Sequence, residues 1–174
     1  MIEIRPLLGL VVLLIVLYTS LQYSMDGSFL VTDPCLLIFN HPRPYFDVAL
    51  ADLFIRRLSL KNSTHIVVNY PHSIAHTVFT LPMSKHTITM PVHARNKTTE
   101  KIAHTLRDGS NVAAFYADYN QGHGLFWAML DTNVPTYTVR INKTICHVER
   151  VQYEQNMNVT QIRAIVRRQL GYEP

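Results

Sequence analysis

Cysteine is scarce in this chain: Cys35 and Cys146 are the only two in 174 residues. Two cysteines cannot build a disulfide framework. One bridge is possible on count alone, but both lie in apolar stretches, where separate buried thiols are expected. Charge is sparse too. Asp, Glu, Lys and Arg make up 16% of the residues, against about 25% in an ordinary soluble domain, which points toward a membrane surface or a well-buried sheet. No block of Lys or Arg occurs. Arg56-Arg57 and Arg167-Arg168 are isolated pairs of the kind found on solvated helix faces. The formal charge of +4 therefore does not argue for nucleic acid and mildly favours anionic partners such as phospholipid headgroups or coenzyme phosphates. Metal-ligand spacing is lacking as well. His72 and His76 are one helical turn apart, but no glutamate completes a His-Glu-x-x-His pattern and no second histidine pair has ligand spacing. No metal and no resident cofactor is expected. Internal repeats and low-complexity tracts are also missing, so one domain with a short appendage is the natural organisation.

Apolar residues are plentiful, at 48% of the chain, enough for a full core. The first dense run, Leu7 to Leu17, is uncharged and almost wholly aliphatic, follows Arg5, and continues uncharged to Met25. Its strongly apolar part is short for a full span of roughly 20 residues, and Tyr18 and Tyr23 can complete it as interfacial anchors. A signal-anchor helix and a cleaved signal peptide both fit. The lack of a small-x-small cleavage site favours the anchor. The expected division is an anchor over residues 1–25, a linker over 26–34 and one domain over 35–174. Asn62, Asn96, Asn142 and Asn158 each begin an Asn-x-Ser/Thr sequon, which matters only in a secretory lumen.

Beyond the linker, strand-like and helix-like patterns alternate. Strands rich in Val, Ile, Thr and aromatics are predicted over Leu36–Phe39, His65–Asn69, Thr87–Val92, Asn111–Tyr116, Thr136–Ile141 and His147–Tyr153. Helices are predicted over Tyr45–Leu60, His72–Thr80, Thr98–Arg107, Gly124–Asp131 and Val159–Leu170. Asp108-Gly109 should stop the third helix, and Asn158 or Thr160 should cap the last. Phe126 and Trp127 are both expected in the core. The alternation predicts an α/β fold, with a mixed, largely parallel sheet flanked by helices. Active sites of such folds lie where strands end and helices begin.

Three segments fall at such places. In Asn40-His41-Pro42-Arg43-Pro44-Tyr45-Phe46-Asp47, an apolar strand ends in a histidine and the next helix opens on a carboxylate. An imidazole there can take a proton near neutral pH while the aspartate fixes its tautomer and stabilises its cation. The alternative is a loop histidine and an aspartate that merely favours the helix dipole. In His93-Ala94-Arg95, the guanidinium suits a phosphate or pyrophosphate contact, or is a surface arginine beginning a helix. The third segment runs from Phe115 to Gly124.

These segments, in this order, resemble the phospholipid and glycerol acyltransferase family. That family carries an Asn-His motif with an aspartate beyond it, a strand leading to an arginine, a Phe-Pro-Glu-Gly-Thr-Arg loop, and a Val-Pro before a last apolar strand. The corresponding residues here are Asn40-His41 with Asp47, Ile88 to Val92 leading to Arg95, Phe115-Tyr116-Ala117-Asp118-Tyr119-Asn120, and Val134-Pro135. The likeness extends from Cys35 nearly to the C-terminus. Two departures stand out. Five residues separate His41 from Asp47, where the family has four. Ala117 and Asn120 occupy the positions of the loop glutamate and arginine. The resemblance implies a glycerolipid acyltransferase-like fold and acyl transfer from acyl-coenzyme A, as co-substrate, to a lipid hydroxyl at a membrane such as the endoplasmic reticulum. It implies His41 as general base with Asp47 as its orienter. Arg95, Arg43, Asp118 and Asn120 become candidate substrate contacts. Asn120 in place of a cation implies an acceptor other than lysophosphatidic acid, a substitute cation such as Arg43 or His123, or a degenerate site. The alternative function is a non-catalytic lipid-binding or interaction module on the same scaffold.

Overall fold

The computed structural model describes residues 9, 11–13, 24–25, 31–40, 47–58, 60–69, 87–92, 95–116, 124–142, 145–154 and 156–172. In chain order the elements are β1 (Ser24–Met25), β2 (Leu36–Asn40), α1 (Asp47–Arg57), β3 (Thr64–Asn69), β4 (Thr87–Val92), α2 (Arg95–Arg107), β5 (Asn111–Tyr116), α3 (Gly124–Thr132), β6 (Thr136–Asn142), β7 (Ile145–Arg150) and α4 (Val159–Leu170). The strands form one seven-stranded sheet in the order β1-β7-β6-β2-β5-β3-β4. From β6 across to β4 all neighbours are parallel, β7 runs antiparallel to β6, and β1 pairs parallel with β7. The α/β class and the mixed, mostly parallel sheet are as the alternation predicts.

β2 is the centre of this sheet, and its composition explains why. Leu36, Leu37, Ile38 and Phe39 are all fully buried, because successive side chains point to opposite faces and both faces are covered. On one face, Leu36 and Ile38 join Val112 and Tyr116 of β5. They pack there against Ile102, Ala103 and Leu106 of α2, Phe126 and Met129 of α3, and Ile162, Val166 and Leu170 of α4. On the other face, Leu37 and Phe39 join Ile66 and Val68 of β3 and Val139 and Ile141 of β6. Ala51, Phe54 and Ile55 of α1 pack there. Phe39 meets Phe54 edge-on with ring centroids 5.6 Å apart. Such a pair adds about 0.5–1.5 kcal/mol to the area burial.

Polar side chains tie the N-terminal ends of the strands together. Asn111, fully buried, accepts the Cys35 N–H at 2.9 Å and donates to the Asp33 carboxylate at 2.7 Å and to the Asn62 carbonyl at 3.1 Å. Asp33 in turn accepts the Lys61 N–H at 2.8 Å. One amide thus joins the chain entering β2, the loop entering β3 and the start of β5.

The last helix is bounded by local signals. Asn158 accepts the Gln161 N–H at 3.0 Å while Gln161 accepts the Asn158 N–H at 2.8 Å, a reciprocal capping box. At the other end Gly171 adopts φ 79°, and the Gly171 and Tyr172 N–H groups return to the carbonyls of Arg168 and Arg167. That is a Schellman closure. A Cβ at Gly171 would also come within 2.9 Å of the Arg140 guanidinium. Gly109, at φ 83°, ends α2 where Asp108-Gly109 predicts it.

Several expectations are corrected. α2 begins at Arg95 rather than Thr98, so Arg95 opens a helix. β7 spans Ile145–Arg150 rather than His147–Tyr153, because the tight pairing of Asn142 with Ile145 starts it earlier. Trp127 is 58% exposed whereas Phe126 is buried, since adjacent helical positions point in different directions and only Phe126 faces the sheet. Ser24 and Met25, the end of the expected anchor, pair with Ile145 and Cys146 as a strand. Residues 9 and 11–13 are helical, with Val11 and Leu13 exposed. Among the described residues no helix is long and apolar enough to cross a membrane. The helix expected over His72–Thr80 lies outside the described residues.

Both cysteines are buried and free. Cys35 lies one residue before Leu36, which pairs with Thr136, whereas Cys146 pairs with Ile141. They are therefore level with points on β6 about 20 Å apart along the strand, at about 3.3 Å per residue, far beyond disulfide reach. Burial, helped by the nearby Asp33 charge, pushes the Cys35 thiol up to about 12. Burial raises Cys146 to about 11 against the opposing pull of Arg57.

Two measurements check this account. Neither thiol should react with a chromogenic disulfide reagent at neutral pH in the folded protein, and both should react on unfolding; rapid labelling of the native chain would contradict their burial. Asn158→Ala should lower stability by about 1 kcal/mol in denaturant melts. Asn158→Ser, which also removes the sequon but keeps a capping oxygen, should cost clearly less.

Candidate active site

Parallel strands deliver their C-terminal ends to a common edge. Asn40 at the end of β2 is level with Tyr116 at the end of β5, and Asn69 of β3 with Val92 of β4. The connection leaving β2, residues 41–46, leads to α1 on one face of the sheet, and that leaving β5, residues 117–123, leads to α3 on the other. β2 and β5 are immediate neighbours. α1 leads on to β3, beyond β5, while α3 leads to β6, beyond β2. Two adjacent strands whose chains depart to opposite faces and opposite sides form a topological switch point, where an open α/β sheet has its crevice.

Asp47 is the first residue of α1 and Arg95 the first residue of α2. Both helices begin at the edge where β2 and β4 end, as does α3 after β5. β4 lies two strands from β5, about 10 Å aside at the usual spacing. Arg95 therefore begins its helix at the same edge as Asp47 but farther from the switch point. Three helix N-termini at one edge give it a positive partial charge, suited to developing negative charge on a substrate oxygen. His41, Arg43, Asp118 and Asn120 lie outside the described residues, as do His72, His76 and His123.

The edge is held by residues that sequence reasoning did not single out for this role. The Asn40 carboxamide accepts the Ile141 N–H at 2.8 Å and donates to the Ile141 carbonyl at 2.9 Å, locking the end of β2 to β6. Tyr116 is the last residue of β5. It is buried, and its ring packs against Phe126 and Tyr172 at centroid distances of 5.8 and 5.7 Å. Its hydroxyl accepts from Arg163 Nε at 2.8 Å, and its carbonyl accepts from the Tyr172 hydroxyl at 2.9 Å. The strand feeding the 117–123 segment is thus pinned from α4 and from the turn beyond it. Gly124 opens α3 where any Cβ would overlap the Thr99 hydroxyl of α2, so glycine lets the starts of these two helices meet.

His65, whose pKa is lowered by burial and then by the Lys101 charge, pairs with Val112 near the N-terminal end of β5. It stands at the opposite edge from the switch point and takes no part in the candidate site. Among the described residues no group of three His, Cys, Asp or Glu side chains is placed to hold a metal ion. No protein-family model matches this chain, and no curated protein matches its sequence.

Proposed function

We propose that the chain is a membrane-associated acyltransferase that moves a fatty acyl group from acyl-coenzyme A to the hydroxyl of a glycerolipid or lysophospholipid. The observation that carries this reading is the switch point between β2 and β5. The segment Asn40-His41 leaves the sheet there, and the helix that follows opens on Asp47. A histidine following such a strand end is suited to general-base chemistry.

In the proposed reaction, His41 takes the proton of the acceptor hydroxyl as its oxygen attacks the thioester carbonyl. Asp47 holds the imidazole and favours its cation. The positive pole of the helix N-termini stabilises the tetrahedral oxyanion. Collapse breaks the carbon–sulfur bond, and the departing thiolate takes the proton from the imidazolium. One ester forms, one thioester is lost, and His41 returns to its neutral form. Arg95 contacts phosphate of the donor or acceptor, with Arg43, Asp118 and Asn120 as further substrate contacts. A second reading, a non-catalytic lipid-binding or interaction module, is favoured by Ala117 and Asn120 at the family's glutamate and arginine positions.

Labelled acyl-coenzyme A, offered with a panel of lysolipids and monoacylglycerols, tests the proposal. His41→Ala should lose about 10²- to 10⁴-fold in turnover. Asp47→Asn should lose less, and Arg95→Ala should mainly raise KM. With Asn120 at the cation position, lysophosphatidic acid should show little advantage over uncharged acceptors. Equal incorporation by wild type and His41→Ala would refute the mechanism, and no incorporation into any acceptor would favour the non-catalytic reading. The Leu7 to Leu17 run adds a separate expectation: the full chain should stay with membranes through carbonate extraction, and a chain starting near Asp26 should be held less tightly. Free solubility of the unprocessed full chain would remove the membrane part of the proposal.

A further inference from the structure

Arg163 of α4 is partly buried, and its guanidinium is fixed at one corner. Nε donates to the Tyr116 hydroxyl at 2.8 Å, and Cζ lies 6.0 Å from the centre of the Tyr116 ring. The two terminal nitrogens of the planar fork stay outside that bond. Among the described residues no carboxylate pairs with them. The Tyr116 ring cannot swing away, because it is buried against Phe126 and Tyr172, and its carbonyl is held by the Tyr172 hydroxyl at 2.9 Å. Its hydroxyl oxygen accepts from Arg163, while the hydroxyl proton meets no acceptor among the described residues. Donors therefore gather at one place, the terminal fork of a guanidinium beside a phenolic proton, without an acceptor to match them.

That place adjoins the switch point. Tyr116 ends β5, the neighbour of β2, and Phe126, against its ring, lies in the first turn of α3. An arginine held at Nε has lost part of its freedom on folding, so a ligand has less ordering left to impose. Its fork matches phosphate oxygens bidentately. We propose that Arg163, oriented by Tyr116, binds a phosphate group of the substrate at this edge. The inference deepens the acyl-transfer reading and rests on it for the source of the phosphate, coenzyme A or a phosphorylated acceptor. Arg95 begins its helix after β4, two strands from β5, and is a separate contact. The competing explanation is a packing clamp, in which the Arg163–Tyr116 bond only ties α4 to the sheet.

Equilibrium binding to the full chain in an uncharged detergent separates the two without any turnover. Calorimetric titrations use coenzyme A and glycerol 3-phosphate as probes of the two phosphate sources, with glycerol as the uncharged control. Wild type is set beside Arg163→Met, Arg163→Lys and Tyr116→Phe. Arg163→Met should weaken binding of a phosphate probe on the order of 10- to 100-fold, the range of a hydrogen bond to a charged group. Arg163→Lys keeps the charge but loses the Nε anchor and the fork, so it should restore only part of the affinity. Tyr116→Phe keeps the ring, removes the hydroxyl and should weaken the same probe by less than Arg163→Met. Loss on coenzyme A assigns the site to the donor, and loss on glycerol 3-phosphate assigns it to the acceptor. In the acyl-transfer assay Arg163→Met should raise the KM of that substrate more than it lowers kcat. Absence of binding of either probe by wild type would overturn the proposal. Unchanged affinity for both probes in a folded Arg163→Met would overturn it too and leave the clamp. If wild type binds a probe through Arg163 but transfers no acyl group, the acyl-transfer reading falls and the phosphate site stands. If the methionine variant does not fold, the lysine variant carries the same measurement, and wild-type affinity there would overturn the proposal.

Discussion

The architecture depends on keeping a wholly apolar strand at the centre of a parallel sheet with no backbone group stranded at either end. Leu36 to Phe39 are closed off from water on both faces, so every peptide group entering or leaving β2 needs a partner. A buried donor or acceptor without one costs about 1–3 kcal/mol. Two asparagines supply what the ladder cannot. Asn111 takes the Cys35 N–H where β2 begins, and Asn40 takes both groups of Ile141 where β2 ends. A carboxamide suits the task because it offers an acceptor and two donors in the same planar geometry as the peptide group. Aspartate would bring a charge and lose the donors, and leucine would fill the volume but leave the peptides unpaired.

Between those clamps, the three-layer arrangement determines where chemistry can occur. α1 covers one face, and α2, α3 and α4 cover the other. The divergence of chain from β2 and β5 follows from that division, because each strand must hand its chain to the layer that its next helix occupies. A switch point at the C-terminal edge is the geometric result, and α1, α2 and α3 all start at that edge. The acyl-transfer proposal uses this edge as the meeting place of a base, an electropositive rim and two lipid-like substrates.

Much of the scaffold was legible from local pattern. β4, β5 and α4 match their predicted bounds, because continuous apolar strands, a capping asparagine and helical spacing of apolar residues are short-range signals. The site was legible only as segments at strand ends, and the start of α1 at Asp47 is the part that the structure makes concrete. What was not legible is long-range. The partners of Asn40 and Asn111 lie 101 and 76 positions away, and no periodicity reports such a contact. Trp127 was misplaced because hydrophobic character alone suggested burial, whereas the packing of α3 admits Phe126 and turns its neighbour outward. The start of α2 was missed because Arg95 to Lys97 are polar and offer no apolar period. The strand at Ser24–Met25 was hidden inside an apolar run that reads as helix.

The Asn40 clamp also bears on how the sheet is assembled. β2 and β6 are brought together across a hundred residues of chain, which makes their alignment among the least local in the fold, and non-local alignments carry the largest loop-closure cost before any contact rewards them. An error of one residue there would turn Tyr137, Val139 and Ile141 away from the face they fill and turn Thr138 and Arg140, which lie between them, toward it. It would also slide Arg140 or Asn142 into the place of Ile141. Because the amide must meet one particular peptide, it acts as a key that only the correct alignment accepts.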